Sequence, residues 1–322
     1  MSQPVKPLLS VVVPVYNEES VLPETFKRLK TVLDAMEIVY EVILVNDGSK
    51  DKTAEIAADI CAKEPAWKFL NFSRNFGHQI AITAGMDYSS GDAIVVIDAD
   101  LQDPPELIPQ MMLKWHEGFD VVYAKRVKRD GETFFKKFSA KMFYKLMRFM
   151  TDFDLPTDVG DYRLIDAKVK EALKLVNERN RYIRGIISWL GFKQTAVEFN
   201  REKRFAGETK YPLRKMIKFA FDGITSFSYK PLKIATYIGS FVSLVSFIFI
   251  IVVVIMAFMH QTVTGWASTL AISLFFNGVV LVMLGIIGEY IGRIFDEVKA
   301  RPLYIVARTI NLENESLNAR SK

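Results

Sequence analysis

The sequence predicts an α/β fold: a mostly parallel sheet flanked by helices, with interfacial amphipathic helices and a C-terminal two-helix transmembrane hairpin. Three observations carry this expectation. Short β-branched runs alternate with helical patterns through the first half of the chain, as in a parallel sheet with crossover helices. Although 25% of the residues are charged, none of Asp, Glu, Lys or Arg occurs between Lys233 and Glu289, a gap of about 55 residues. A helix needs only about 20 apolar residues to cross a bilayer, so the gap holds two spans and a short turn. Basic residues also gather ahead of the gap. Tyr123 to Met150 carries about nine Lys and Arg against two acids, and Asn200 to Lys218 about seven against two, as expected of a surface facing anionic lipid or phosphate.

The elements follow in order. Leu9 to Val15 reads as a buried strand, and the apolar spacing from Glu18 to about Met36 as a helix. Glu41 to Val45 is a second strand, followed by the turn Asn46-Asp47-Gly48-Ser49 and a helix from about Lys52 to Lys63. Phe69 to Phe72 and Ala93 to Ile97 are strands, with a helix near Gln79 to Tyr88 between them. Asp103-Pro104-Pro105-Glu106 has the pattern of a helix start, with Asp103 as N-cap and a helix to about Trp115. Asp120 to Ala124 is a further strand. From Phe134 to Met150, Lys137, Lys141, Lys145 and Arg148 lie on one side and Phe138, Met142, Leu146 and Phe149 on another. This is the pattern of a helix lying in a membrane interface, the alternative being a surface helix packed on the core. A second candidate runs from Pro212 to Phe227. The spans are then Ile234 to about Phe258 and Trp266 to about Gly288, with Trp266 suited to an interface anchor. Both flanks are basic and the turn Met259 to Gly265 is not, so both ends of the chain are expected in the cytoplasm.

Several classes lose support. The single cysteine, Cys61, has no intramolecular partner, and His78, His116 and His260 lie far apart, so neither a disulfide scaffold nor a Cys/His zinc site is expected. The apolar run near the N-terminus is followed at once by Asn17, Glu18 and Glu19, which reads as no signal peptide. The net charge of +5 is modest, and no zinc-finger, basic-zipper or RNA-recognition signature accompanies it, so no nucleic-acid partner is expected. Dinucleotide and P-loop glycine motifs are missing from the strand ends.

Chemistry concentrates at strand ends. Asp98 and Asp100 follow the run AIVVI, and in an extended chain alternate residues share a face, so the two carboxylates and Gln102 point one way. Facing carboxylates repel unless a cation or proton lies between them, and hard oxygen ligands suit Mg²⁺ or Mn²⁺. A bare Asp-x-Asp is common by chance; its place at a strand end, before Asp-Leu-Gln-Asp-Pro-Pro, favours the metal. Pro14, Tyr16, Asn17 and Glu18 end the first strand and Asp47-Gly48-Ser49 the second. Tyr16 offers a face for a base, and Asp47 an acceptor for an imide or ribose hydroxyl, although two ordinary turns explain these residues equally well.

The stretches VVVPVYNEE, VNDGSKD, SRNFGHQIAITAGM, DADLQDPPE, GDYRLID and RFAGETKY, in this order and followed by two spans ending GEYIGRIFDEVKARPLY, resemble the polyisoprenyl-phosphate glycosyltransferases of glycosyltransferase family 2. The tail is similar to that of the bacterial branch, which acts on undecaprenyl phosphate. The resemblance implies a GT-A-type sheet and metal-dependent transfer of a sugar, UDP-glucose or a related UDP-sugar being favoured as donor, to a polyprenyl phosphate at the cytoplasmic face of the inner membrane. It implies that Pro14, Tyr16, Glu18 and Asp47 hold base and ribose, and that Asp98, Asp100 and Gln102 hold the metal on the diphosphate. Arg126 and Lys136 would grip the lipid phosphate, and Arg201, Arg204, Lys210 and Tyr211 would lie in a loop over the donor and acceptor phosphates. A homo-oligomer, a tetramer, is also implied.

On this reading residues 1–132 form the core with the nucleotide and metal site, 133–150 and 211–232 are interfacial, 151–210 complete the catalytic domain, 233–290 are the spans and 291–322 a cytoplasmic tail. A phosphate acceptor is already nucleophilic at neutral pH, whereas a hydroxyl acceptor needs a base. Asp161 is the candidate base; two residues from Arg163, it can instead orient cationic groups around the phosphate. Asp100, Asp161 and Arg163 are thus the expected catalytic residues. The rival readings are a processive polysaccharide synthase, which usually has more spans and a Gln-x-x-Arg-Trp signature missing here, and a membrane-tethered nucleotide-binding protein that has lost catalysis.

Overall fold

The computed structural model describes residues 8–127, 159–199, 230–259 and 265–312. At its centre lies β1 (Leu9–Val15), whose seven residues are all buried. Such a strand shows no apolar/polar alternation because helices cover both faces of the sheet. β2 (Tyr40–Asn46) and β4 (Ala93–Val96) flank it in parallel, and β3 (Trp67–Phe72) follows β2, also in parallel. Beyond β4 come β6 (Val159–Asp166), β5 (Val121–Arg126) and β7 (Gln194–Phe199). The sheet is therefore parallel in the middle and mixed outside it: β6 runs against both β4 and β5, while β7 is parallel to β5.

Alternate residues of β1 divide the core in two. Val11, Val13 and Val15 face α1 (Leu22–Ala35), α2 (Thr53–Lys63) and α4 (Ile108–His116). Val12 faces α3 (His78–Tyr88), with α5 (Ala167–Leu175) and α6 (Ile183–Trp189) covering the same side. The α3 contact is close, because a Cβ on Gly85 would come within 2.1 Å of Val12 Cγ1.

The structure corrects two local expectations. Asp103 does not cap a helix: the opening turn is 3₁₀ (Pro105–Leu107), Pro104 occupies the cap position without a side-chain hydrogen bond, and α4 starts at Ile108. Asp103 is instead buried and faces Arg126, with Nη2 3.6 Å from Oδ1. The extended run also stops at Val96, short of Asp98. Residues 99–103 turn, with Leu101 at φ 56°, so the common face of Asp98 and Asp100 is produced by a turn and not by a pleat.

The apolar region forms α7 (Lys230–Phe258) and α8 (Trp266–Lys299), a two-helix transmembrane hairpin. Nothing in Glu289 to Lys299 breaks the second helix, and Glu289 and Arg293 pair across one turn at 3.1 Å, so α8 runs about 51 Å, well past the roughly 30 Å hydrocarbon core. It ends at Ala300, which takes a left-handed conformation. Residues 291–322, read as a tail, then contribute β8 (Val306–Ile310), antiparallel to β3 at the edge of the sheet. Tyr304 stacks on Phe72 at 5.3 Å between ring centroids and donates to Asp87 at 3.0 Å. Both expected interfacial helices lie outside the described residues.

Candidate active site

A cleft of about 320 Å³ opens at the carboxyl ends of β1, β2 and β4, lined by Pro14, Tyr16, Glu18, Asp47, Asp98 and Asp100 together with Asn75, Gly77 and His78. The open α/β sheet brings these residues together because its strand order reverses around β1. Two loops are stitched across the gap. Asn17, left-handed at φ 55°, donates its N–H to Ser49 Oγ at 2.9 Å and accepts from the Lys50 N–H at 2.9 Å, while the Glu18 N–H donates to Thr53 Oγ1 at 2.8 Å. These bonds hold the turn beside Tyr16, which lines the cleft and is 42% exposed.

Asp47 is buried and already committed. Its carboxylate accepts from the backbone N–H of Phe76 (2.6 Å) and Gly77 (3.0 Å) and from Asn75 Nδ2 (2.9 Å). Burial raises its pKa, against those donors. Asp47 therefore holds the loop that leads into α3, and that loop sets His78 at the start of the helix. Gly48 makes the approach possible: at φ 67° it leaves room for the Arg74–Asn75 backbone, which a Cβ would meet at 2.4 to 2.9 Å.

Deeper in, four side chains form one electrostatic cluster. His78 Nε2 lies 3.4 Å from Asp98 Oδ1 and 3.4 Å from Asp161 Oδ2. Arg184 clamps Asp161, and Gln79 Nε2 donates to Asp161 Oδ2 at 3.1 Å. Burial alone would raise the pKa of the Asp161 carboxyl. Arg184, the hydrogen bond from His78 and nearby Arg163 outweigh it and hold the pKa well below the usual carboxylate range. Burial likewise works against a charged His78, but Asp161 and Asp98 prevail and its pKa lies above the ordinary value. Arg163, beside Val96 on β6 and fully buried, has its pKa drawn down to about 10 by desolvation; its Nη2 donates to Gly160 O at 2.9 Å.

Asp98 has the opposite character. Burial, together with the neighbouring Asp161, Asp103 and Asp100 and against the pull of His78, lifts its pKa to about 6. Among the described residues its buried Oδ1 has no hydrogen-bond partner. A buried carboxylate oxygen that accepts no hydrogen bond from the described residues, with His78 Nε2 3.4 Å away and other carboxylates nearby, fits a divalent cation. Among the described residues no three His, Cys, Asp or Glu side chains form a metal cage alone, so Asp98 and Asp100 would need oxygens from a ligand to complete the coordination.

Gln102 does not line the cleft; its N–H donates to Asp100 Oδ1 at 3.1 Å, closing the turn. Arg126 ends β5 beside Asp103 and against Gly160, and among the described residues its Nε has no hydrogen-bond partner. Lys136, Arg201, Arg204, Lys210 and Tyr211 lie outside the described residues. Sequence reasoning missed His78, Gln79, Asn75 and Arg184. The first three fall in SRNFGHQ, where a conspicuous polar run follows a strand; Arg184 has no local signal.

Comparison with known proteins places the chain in a family. Residues 10–173 match the model of glycosyl transferase family 2, and residues 230–294 match the GtrB C-terminal hairpin. An uncharacterised glycosyltransferase of Bacillus subtilis (strain 168) is 58% identical over 309 residues, covering 96% of each chain. The SfII prophage-derived bactoprenol glucosyl transferase of Shigella flexneri is 42% identical over 302 residues, covering 94% of this chain and 98% of its own. A prophage bactoprenol glucosyl transferase homologue of Escherichia coli (strain K12) is 42% identical over 301 residues, covering 93% and 98%.

Proposed function

The chain belongs to glycosyltransferase family 2, and from that premise we propose that it transfers glucose from UDP-glucose to undecaprenyl phosphate at the cytoplasmic face of the inner membrane, leaving a lipid-linked monosaccharide. It is a glycosyltransferase anchored by a two-helix hairpin. The observation that carries the reading is the cleft itself, which gathers the exposed ring of Tyr16, the Asp98/Asp100 pair and Asp47 in one cavity. The acceptor follows from the 42% identical relatives, whose names give bactoprenol as what they glucosylate.

Tyr16 stacks the base, and Pro14 and Glu18 bound the ribose. Asp98 and Asp100 would hold Mg²⁺ or Mn²⁺ on the diphosphate, which when bound neutralises charge developing on the leaving oxygens. The acceptor phosphate oxygen forms a bond to the anomeric carbon as the bond from that carbon to the diphosphate breaks. No proton need be removed, because a phosphate monoester is largely dianionic at pH 7. Asp161, kept ionised by Arg184, is then a positioning residue for the surrounding cations, including Arg163, and not a base. Arg126 and, by resemblance, Lys136, Arg201 and Tyr211 meet the acceptor phosphate, with Arg204 and Lys210 closing over the donor. Positioning and charge supply most of the rate.

The test is to incubate membranes containing the protein with a panel of radiolabelled UDP- and GDP-sugars and to extract the lipid. Label from UDP-glucose in a lipid released by mild acid is the expected result. Label from GDP-sugars only, or none in lipid, overturns the assignment.

A further inference from the structure

The loop that follows β3 has two sides. Asn75, Gly77 and His78 face the donor cleft, whereas Arg74 and Phe76 face a separate pocket of about 260 Å³. Three segments distant in sequence converge on that second pocket: Arg74 after β3, Arg179 between α5 and α6, and Lys299 and Arg301 where α8 hands over to β8. Asp296 is the acidic residue of its lining.

Four cations against one carboxylate is an unusual balance for this domain. Lys30, Lys63, Lys114, Lys125, Lys168 and Lys174 each pair with an acid. In contrast, among the described residues none of Arg74, Arg179, Lys299 or Arg301 pairs its side chain with a carboxylate. Arg74 donates to the carbonyl of Asn75 at 2.8 Å and lies over the Phe76 ring at 4.0 Å, and Lys299 lies 4.9 Å from the Phe295 ring centroid. Two further acids are close by. Glu297 accepts the backbone N–H of Arg179 at 2.8 Å, and Glu178, whose pKa is raised by burial and by Glu297, lies on the same connection; neither lines the pocket.

The cations are held together by backbone and not by chance proximity. The Ser73 N–H donates to Ile305 O at 2.9 Å, one residue from Arg74 and four from Arg301, and Tyr304 is fixed by Phe72 and Asp87. The left-handed turn at Ala300 separates Lys299 from Arg301 and lets both reach the pocket. Guanidinium groups present forks of donors that match phosphate oxygens, and an ammonium adds a point charge.

We infer that this juxtamembrane pocket, formed by Arg74, Arg179, Lys299 and Arg301, binds a phosphate group, carried either by an anionic lipid headgroup or by a soluble phosphate. It is distinct from the donor cleft, from which the 74–78 loop separates it. Because α8 runs from the membrane-spanning segment directly into the pocket, a headgroup has a route to it, and the open outer side admits a free anion.

The experiment uses the full chain purified in neutral detergent. Calorimetric titrations with inorganic phosphate, with dihexanoyl phosphatidylglycerol and with dihexanoyl phosphatidylcholine are run on wild type, on Arg179→Gln/Arg301→Gln, on Lys299→Gln and on Arg308→Gln, an exposed β8 position outside the pocket. Wild type and Arg308→Gln bind phosphate or phosphatidylglycerol saturably and phosphatidylcholine not at all. The double variant binds about tenfold or more weakly and Lys299→Gln a few-fold more weakly, as expected for lost charge-assisted contacts. Thermal melting confirms that each variant is folded, and the single variant serves if the double is not. Binding of phosphatidylglycerol alone assigns a lipid headgroup, and binding of inorganic phosphate a soluble ligand. Failure of wild type to bind either probe, or equal binding by the pocket variants, overturns the proposal.

Discussion

Arg184 grips Asp161 through both carboxylate oxygens, Nε to Oδ1 at 2.8 Å and Nη2 to Oδ2 at 3.1 Å. Twenty-three residues separate the two in sequence, and the pair decides the protonation of the deepest part of the cleft. An acid held so firmly in its charged form is poorly suited to take a proton near neutral pH.

Replacing Asp161 with Asn leaves Arg184 and buried Arg163 without their counter-charge, so the protein should lose about 3 kcal/mol of stability at pH 7 in a denaturant titration. The folded-state pKa of Asp161 is depressed, so its contribution is complete above the unfolded value near 4 and drains away as pH falls toward the folded value. The gap between wild type and variant should narrow below about pH 4. In single-turnover transfer, both proteins should keep the same acid limb below about pH 6, where the acceptor phosphate gains a proton. Loss of that limb in the Asn variant would assign the base to Asp161.

Asp98→Asn and Asp100→Asn keep side-chain shape but remove a charged oxygen, and transfer should fall by about two orders of magnitude or more in each. Excess EDTA should mimic the loss and Mn²⁺ restore the wild type alone. Because Oδ1 of Asp98 is buried near other carboxylates and accepts no hydrogen bond from the described residues, and burial raises its pKa against the pull of His78, Asp98→Asn should also stabilise the metal-free protein by about 1 kcal/mol at pH 8. A variant that loses both activity and stability would mean that Asp98 is a structural residue.

Gly48→Ala places a methyl group against the Arg74 and Asn75 backbone and strains a residue at φ 67°. Stability should drop by about 1–2 kcal/mol, and the KM for the sugar nucleotide should rise more than kcat falls, since the displaced loop lines the cleft but makes no bond in the reaction. Unchanged kinetics would show that the loop tolerates the shift.

The strap from α8 to β8 should stabilise the whole catalytic domain. Tyr304→Phe removes the hydroxyl bond to Asp87 and should cost about 1 kcal/mol, while Tyr304→Ala also loses the Phe72 stack and should cost about 2–3 kcal/mol. Equal melting temperatures for all three proteins would mean that the strap is not docked in solution.

Topology is open to labelling. Lys230 and Lys233 precede the first span and Arg293, Lys299 and Arg301 follow the second, so reporters at either end should read cytoplasmic. A single cysteine placed within 259–265, in a Cys61→Ser background, should react with a membrane-impermeant reagent added from outside. Reporters on opposite sides would require one or three spans.

Much of this protein is determined by local pattern. The buried run of β1, the turns after β1 and β2 and the uncharged stretch between Lys233 and Glu289 are each legible because periodicity and hydropathy act over a few residues. Pro14, Tyr16, Glu18, Asp47, Asp98 and Asp100 could be named from their places at strand ends, and a single cleft gathers all of them. The tertiary structure decided what each of them meets. Asp47 turned out to hold a loop, Asp103 to face Arg126 inside the core, and His78 to lie between two carboxylates, because strand order and helix packing bring together residues that no sequence window contains. The same holds at the chain's end. β8 is five residues of ordinary composition, and only the open edge of β3, with its unpaired backbone groups, makes a strand of them.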